Sequence, residues 1–267
     1  MKKIALFLVI LSALIANAEI SIQEKVTQPR DGCTRRSFSI LGGTVNYQFN
    51  YQLYTNEKTG ALTVGDVSTR SIGLGLNYGW YGNGFLRIVI NKKPVMAPAT
   101  TIAHADDSLL FTWPEATLKL RFPENSDRIF GEVVATSGDP LEITFLANPG
   151  FKHKRADYVP WISSGKVHQK LSEGMPVIAS PWIMAYDEVE NPRGIATLVF
   201  DPEKIQNYSF SGTEKSSIIT IQFKIKESRF RFSLQGIPGN YLDAETLYEN
   251  FMKNGNKYLE QLQQFQF

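Results

Sequence analysis

The chain has 267 residues, 43% hydrophobic and 20% charged, with 28 basic against 26 acidic side chains and one cysteine. Two of the lysines lie in the first 18 residues, which hold no acid, so the remainder is balanced in charge. That balance argues against a nucleic-acid partner, which calls for a net basic footprint; the single cysteine excludes an intrachain disulfide; and the length suits one large all-β domain or two small ones, with core enough to do without disulfides.

In chain order, the first element is a targeting segment. Lys2 and Lys3 open it, Ile4 to Ile15 is apolar except for Ser12, and Ala16-Asn17-Ala18 forms a small-x-small cleavage site. This layout predicts a signal peptide over 1–18 and an exported protein, periplasmic or extracellular. The Lys-Lys start suits a bacterial secretory substrate. The apolar run is about 12 residues, short of the roughly 20 that span a bilayer, and no later stretch reads as a membrane helix, so no integral membrane segment is expected after cleavage. Cys33 follows Arg30-Asp31-Gly32, not the apolar and small residues of a lipoprotein anchor, and reads as an inert thiol or an intermolecular bridge.

From residue 19 the pattern alternates at period two. Val45, Tyr47, Phe49, Tyr51 and Leu53 share one face of a strand over 44–54, opposite Asn46, Gln48, Asn50 and Gln52. Leu118, Leu120 and Phe122 alternate in the same way, as do Ile219, Ile221, Phe223 and Ile225, then Phe230, Phe232 and Leu234. Glu57-Lys58-Thr59-Gly60 and Gly82-Asn83-Gly84 are candidate hairpin turns, the second joining 70–80 to 85–90. About fourteen strands fit these rules between residues 20 and 235, with no helices alternating among them. The expected fold is an all-β, large antiparallel sandwich over 19–240.

The period changes at the C-terminus. Asp243 is placed to cap a helix, and Leu247, Phe251, Tyr258, Leu262 and Phe265 share one face. Asn254-Gly255-Asn256 is expected to interrupt it. The segment 241–267 therefore reads as helical and packed on the sandwich, over a sheet edge or end. The alternating Phe265 and Phe267 also suit the end of an outer-membrane barrel, but a barrel needs strands of about ten residues with an outer apolar band, and many strands here are shorter.

Residues 147–176 break the strand pattern and read as a long functional loop. It carries His153, His168, Arg155, Tyr158 and Trp161. Arg155, in the cationic run Lys152-His153-Lys154-Arg155, is a candidate ligand for a carboxylate or sulfate; Trp161 is a candidate stacking ring; His153, His168 and Tyr158 are the candidate proton carriers. The turn Tyr78-Gly79-Trp80-Tyr81-Gly82-Asn83-Gly84 offers Trp80 and Tyr81 as a second platform, with Asn83 to read hydroxyls; the same rings tucked onto the sandwich would be plain packing. Trp113 and Trp182 read as core or edge packing. No metal motif is present: His153 and His168 do not have zinc spacing, and no cofactor is expected. Asp139, Asp187, Glu188, Glu190 and Asp201 occupy turns and leave structural calcium open. No G-x-S-x-G elbow, P-loop or H-E-x-x-H occurs.

The segments Pro181-Trp182-Ile183-Met184-Ala185-Tyr186-Asp187 and Arg193-Gly194-Ile195-Ala196-Thr197-Leu198-Val199-Phe200 look like two paired strands. With the export signal and the many amphipathic strands, the chain resembles the galactose mutarotase-like supersandwich family over roughly residues 20–240. The resemblance implies a carbohydrate ligand. The family's His acid and Glu base have no placed counterparts in this sequence. Three functions are thus open: a carbohydrate-binding or carbohydrate-processing protein, a polysaccharide lyase or sugar isomerase, and a non-catalytic envelope assembly protein with a protein partner.

Overall fold

Alternating strands of this kind must each bury one face, and the way three sheets share that burial fixes where the rest of the molecule can work. The structure, a computed structural model, describes residues 19–30, 32–42, 47–55, 62–63, 67–71, 80, 85–95, 99–124, 126–149, 160–187, 194–213, 216–238 and 244–267. The expected targeting segment, 1–18, lies outside them. The first sheet is built from β1 (Ser21–Arg30), β2 (Cys33–Leu41), β3 (Tyr47–Thr55), β4 (Leu62–Thr63) and β5 (Val67–Ser71), all antiparallel around β3. Next come β6 (Leu86–Ile90), β7 (Lys93–Pro94), β8 (Thr101–Ala105), β9 (Ser108–Thr112), β10 (Ala116–Arg121), β11 (Ile129–Ala135) and β12 (Leu141–Ala147). They are followed by β13 (Trp161–Ser164), β14 (Val167–Lys170), β15 (Trp182–Tyr186), β16 (Gly194–Phe200), β17 (Ile205–Thr213), β18 (Ser216–Ile225) and β19 (Arg229–Pro238).

The largest sheet has nine strands in the order β14-β13-β15-β16-β19-β11-β10-β9-β8, and the third has five, β17-β18-β12-β6-β7. The inner faces of all three sheets meet in one core. Leu118 and Leu120 of β10, Phe230 and Phe232 of β19, Phe145 of β12, Phe223 of β18 and Phe49 of β3 all contribute to it. The fold is an all-β antiparallel sandwich closed by one C-terminal helix, α1 (Ala244–Gln264).

That helix explains a second feature. Strands β15 and β16 are buried at every residue, whereas a strand with one wet face would alternate. Ile183, Ala185, Ala196, Leu198 and Phe200 face the sandwich core. Trp182, Met184, Tyr186, Ile195 and Val199 face the other way and form a second core with Leu247, Phe251 and Leu262 of α1. Fully burying each such side chain is worth about 1.5–3 kcal/mol, and this face holds α1 in place. Glu245 sits in the first turn, where a carboxylate favours the helix N-terminus. Beyond the helix, Phe265 stacks on Phe130 at 4.3 Å.

Two expectations need correction. The helix is continuous: Gly255 does not break it but gives way to Trp182, whose indole lies where a Cβ would be, 2.4 Å from Cδ1. Among the described residues β6 pairs with β12 and β7; most of the expected partner segment 70–80 and the turn Gly82-Asn83-Gly84 lie outside those residues. The segment 147–176 is not strandless, since β13 and β14 form a hairpin within it. Its two-residue turn, Gly165-Lys166, places Gly165 at φ 57°, with Ser180 Oγ 2.5 Å from where a side chain would begin.

Candidate functional site

The hairpin turn sets the site. With a two-residue loop, Ser163 pairs with His168 and Trp161 with Lys170; on the other side Trp161 pairs with Tyr186 and Ser163 with Met184. Side chains on one strand alternate faces, so Trp161, Ser163, His168, Lys170 and Tyr186 all lie on the face that α1 covers, at its open margin. The first turn of α1 adds Tyr248, whose ring is 6.1 Å from that of His168 and 6.1 Å from Trp182.

The polar centre is a triangle. Ser163 Oγ lies 2.8 Å from His168 Nδ1 and 2.9 Å from Tyr186 Oη, and Tyr186 Oη lies 2.8 Å from His168 Nδ1. Two hydroxyl protons serve it when the imidazole carries its own proton on Nε2: one hydroxyl donates to Nδ1 and the other donates to the first. Partial burial against the neighbouring rings lowers the His168 pKa, which keeps the ring neutral near pH 7 and supports that tautomer. Burial also pushes the Tyr186 hydroxyl up to about 12, against a smaller opposing effect of the Ser163 hydrogen bond, so Tyr186 is a proton donor, not a phenolate.

Access separates the roles. Ser163 is 0% exposed, so a serine nucleophile has no route to a substrate here. His168 is exposed and Trp161, Lys170 and Tyr248 are partly so. The Trp161 ring is parallel to that of Tyr186, at 6.4 Å and 3°, and 4.8 Å from His168. Lys170 Nζ sits 5.1 Å from its centroid. The result is an aromatic ledge with an imidazole and an ammonium beside it, backed by buried hydroxyls. Beneath it Ser164 Oγ accepts from Ala179 N and Ser180 N at 3.2 Å each, which ties the hairpin to the following segment.

Arg128 holds the middle of α1. It is buried, and its Nε donates to Ser233 Oγ at 3.1 Å while Nη1 donates to Gln235 Oε1 at 3.3 Å. Phe251 and Tyr258 of α1 cover the guanidinium at 5.3 and 5.2 Å. Burial brings its pKa down to about 10, with nearby Asp127 opposing. It is still charged at neutral pH, and it acts as an anchor for the helix.

Of the expected site residues, the structure joins Trp161 and His168. Trp80 is corrected: it is 1% exposed, packs against Phe85 and Phe145, and donates its indole N–H to the Gln235 carbonyl at 2.9 Å. It is a core residue, because a ring that size is most stable out of water once its N–H is paired. His153, Arg155, Tyr158, Tyr81 and Asn83 lie outside the described residues. Ser163, Lys170, Tyr186 and Tyr248 were not singled out from sequence; the Gly165-Lys166 turn was the signal, since it dictates which side chains face one another across the hairpin. Among the described residues no three His, Cys, Asp or Glu side chains converge as metal ligands. Asp139 accepts from Asn91 Nδ2 and Asp201 caps the turn at Pro202–Lys204.

No family model and no curated protein matches the chain. Among solved structures it is matched with a glucosidase II alpha subunit at 9% identity and a TM-score of 0.20, over 85% of this chain and 33% of that one. The chain thus spans about a third of the structure it matches, and a likeness at that score does not establish a shared fold.

Proposed function

We propose that this is an exported bacterial carbohydrate-binding sandwich, periplasmic or extracellular, which takes a sugar on the ledge formed by Trp161, His168 and Tyr248. The observation that carries the reading is the partly exposed Trp161 ring, held parallel to Tyr186 with hydrogen-bonding groups at its rim. A sugar presents an apolar C–H face to such a ring and hydroxyls to the polar groups beside it. Lys170 rests on that ring, but an exposed cation–π contact is worth only about 0.5–1 kcal/mol, so a ligand displaces it at small cost. Calorimetry with a panel of neutral and acidic oligosaccharides tests this. Binding that disappears in Trp161→Ala supports it; binding that survives the change, or none with any glycan, removes the reading and favours an envelope assembly protein with a protein partner.

One observation favours a second reading, a polysaccharide lyase or sugar isomerase. The 2.8 Å contact between Tyr186 and a neutral, exposed His168 is a proton-transfer pair. In that reaction the other neutral tautomer acts: Nδ1–H donates to the Ser163 or Tyr186 hydroxyl, the free Nε2 lone pair takes the C5 proton next to a uronate carboxylate, the C5–H electrons form the C4=C5 double bond, and the C4–O bond to the departing sugar breaks, its oxygen taking a proton from solvent. Its product, an unsaturated uronate, absorbs in the ultraviolet; no absorbance gain on acidic polysaccharides argues against it.

A further inference from the structure

At the other end of α1, on the same sheet face, lies a cleft of about 320 Å³. Tyr248 marks one end of the helix and Leu262 the other, roughly 20 Å apart at 1.5 Å per residue, so this is separate from the Trp161 ledge. Its floor is Arg229 and Arg231 of β19, its far wall the turn that follows Asp201, and its near wall Leu262 and Gln263.

The charge pairing in this cleft is uneven. Arg231 Nε donates to Glu132 Oε1 at 2.8 Å, and Arg229 Nε reaches toward the same oxygen at 3.7 Å. Arg231 is thus hydrogen-bonded at Nε and Arg229 rests more loosely beside the same carboxylate, and the terminal Nη groups of both hydrogen-bond to no described residue. Of the acids at the rim, Glu227 pairs with Lys204 at 2.7 Å, while Asp201 keeps its charge and accepts from the backbone N–H of Glu203 at 3.0 Å and the Gln263 amide at 3.2 Å. The Phe267 ring lies 5.0 Å from the planar Arg231 guanidinium, a cation–π contact that helps hold its orientation. Two guanidinium forks with free ends beside an open cleft match an oxyanion with two or three oxygens in a plane.

We propose that this cleft binds the acidic group of a glycan, a uronate carboxylate or a sugar sulfate; the sugar part of the proposal rests on the carbohydrate reading above. The pair Arg229 and Arg231 reads the anion, and Gln263 and Asp201 stand where ring hydroxyls would fall.

The test is a titration of the full mature chain with glucuronate, with glucose, and with inorganic sulfate, followed through the arginine Nε–H signals by NMR. Glucuronate should shift the Arg229 and Arg231 signals, glucose should not, and the affinity should fall as salt is raised. Arg229→Gln, at an exposed side chain, should weaken glucuronate about tenfold or more with an unchanged melting temperature, and Arg231→Gln likewise. Neutral-glycan binding lost in Trp161→Ala should be untouched by either change. Glucuronate binding that survives both arginine changes, or no shift with any anion, overturns the proposal. Sulfate binding without glucuronate overturns the uronate arm and leaves the sulfated sugar, checked with glucose 6-sulfate. Glucuronate binding at the cleft with no glycan at Trp161 overturns the ledge and leaves the cleft standing.

Discussion

Replacing Gly255 with alanine sets two known quantities against each other. In an exposed helix interior the change stabilises by about 1 kcal/mol. Here the new Cβ falls 2.4 Å from Trp182 Cδ1 and 2.5 Å from Nε1, where ordinary contacts begin at 3.4 Å. Trp182 cannot turn aside: it is 2% exposed and flanked by Phe251 at 5.2 Å and Tyr248 at 6.1 Å. Either α1 lifts by about 1 Å or the indole leaves its rotamer, and overpacking of this kind costs about 1–3 kcal/mol. The net expectation is a loss of about 0–2 kcal/mol, a fall of up to roughly 8 °C in melting temperature for a domain of this size. Gly255→Val should fall further. Combining Gly255→Ala with Trp182→Phe should cost less than the sum of the two, because the smaller ring makes room. Differential scanning calorimetry reads the wild type, the three single variants and the double variant. A rise in melting temperature for Gly255→Ala would mean that helix propensity alone is acting and that α1 does not press on Trp182.

Four further outcomes are expected. Lys170→Ala frees the Trp161 ring and should tighten neutral-glycan binding by about twofold to fivefold, the exposed cation–π contact of about 0.5–1 kcal/mol expressed as an equilibrium, measured by calorimetry. The lowered His168 pKa means the unfolded chain takes up that proton first as pH falls through 6.5, so its contribution to stability is complete above that pH and is lost on acidification; urea midpoints from pH 7.5 to 5 should show the loss, and His168→Gln should remove it. Tyr186→Phe should cost about 1 kcal/mol in urea unfolding, the usual net value of one hydrogen bond, since Ser163 keeps His168 as partner. Glu24 is held below the usual carboxylate range by its hydrogen bond from Arg36, so that contribution is present above pH 4.5 and lost below it; Arg36→Ala should flatten the acid limb of the stability curve.

The strands that wrote themselves plainly are those with one wet face. Leu118 and Leu120 are buried and Thr117 and Lys119 are not, because β10 lies away from the main run of α1. The pair 181–187 and 193–200 was legible as strands for the opposite reason, unbroken apolar character, and the structure pairs Met184 with Thr197. What hid was the hairpin Trp161–Lys170. Two of its three buried positions in β13 are Ser163 and Ser164, one on each face of the strand and each 0% exposed, and a buried serine satisfied by His168 and Tyr186 or by Ala179 N looks polar to any pattern rule. The glycine at 255 misled in another way: a residue chosen for close approach has the same letter as one chosen to end a helix. Arg128 gave no signal at all, since a buried cation is made tolerable only by acceptors brought from Ser233 and Gln235, about a hundred residues downstream.

The place of β19 in the nine-stranded sheet has a kinetic consequence. It is the last strand made, yet it lies in the middle, bonded to β16 on one side and β11 on the other. Until residues 229–238 insert, β8–β11 and β13–β16 are separate half-sheets with no hydrogen bond to join them, each with an open edge that invites pairing with another chain. The sandwich therefore commits late, through contacts between residues as far apart as Ile129 and Leu234, and high contact order slows such folding. A chain truncated before β19 is a substrate for proteases and aggregation, not a smaller version of the protein.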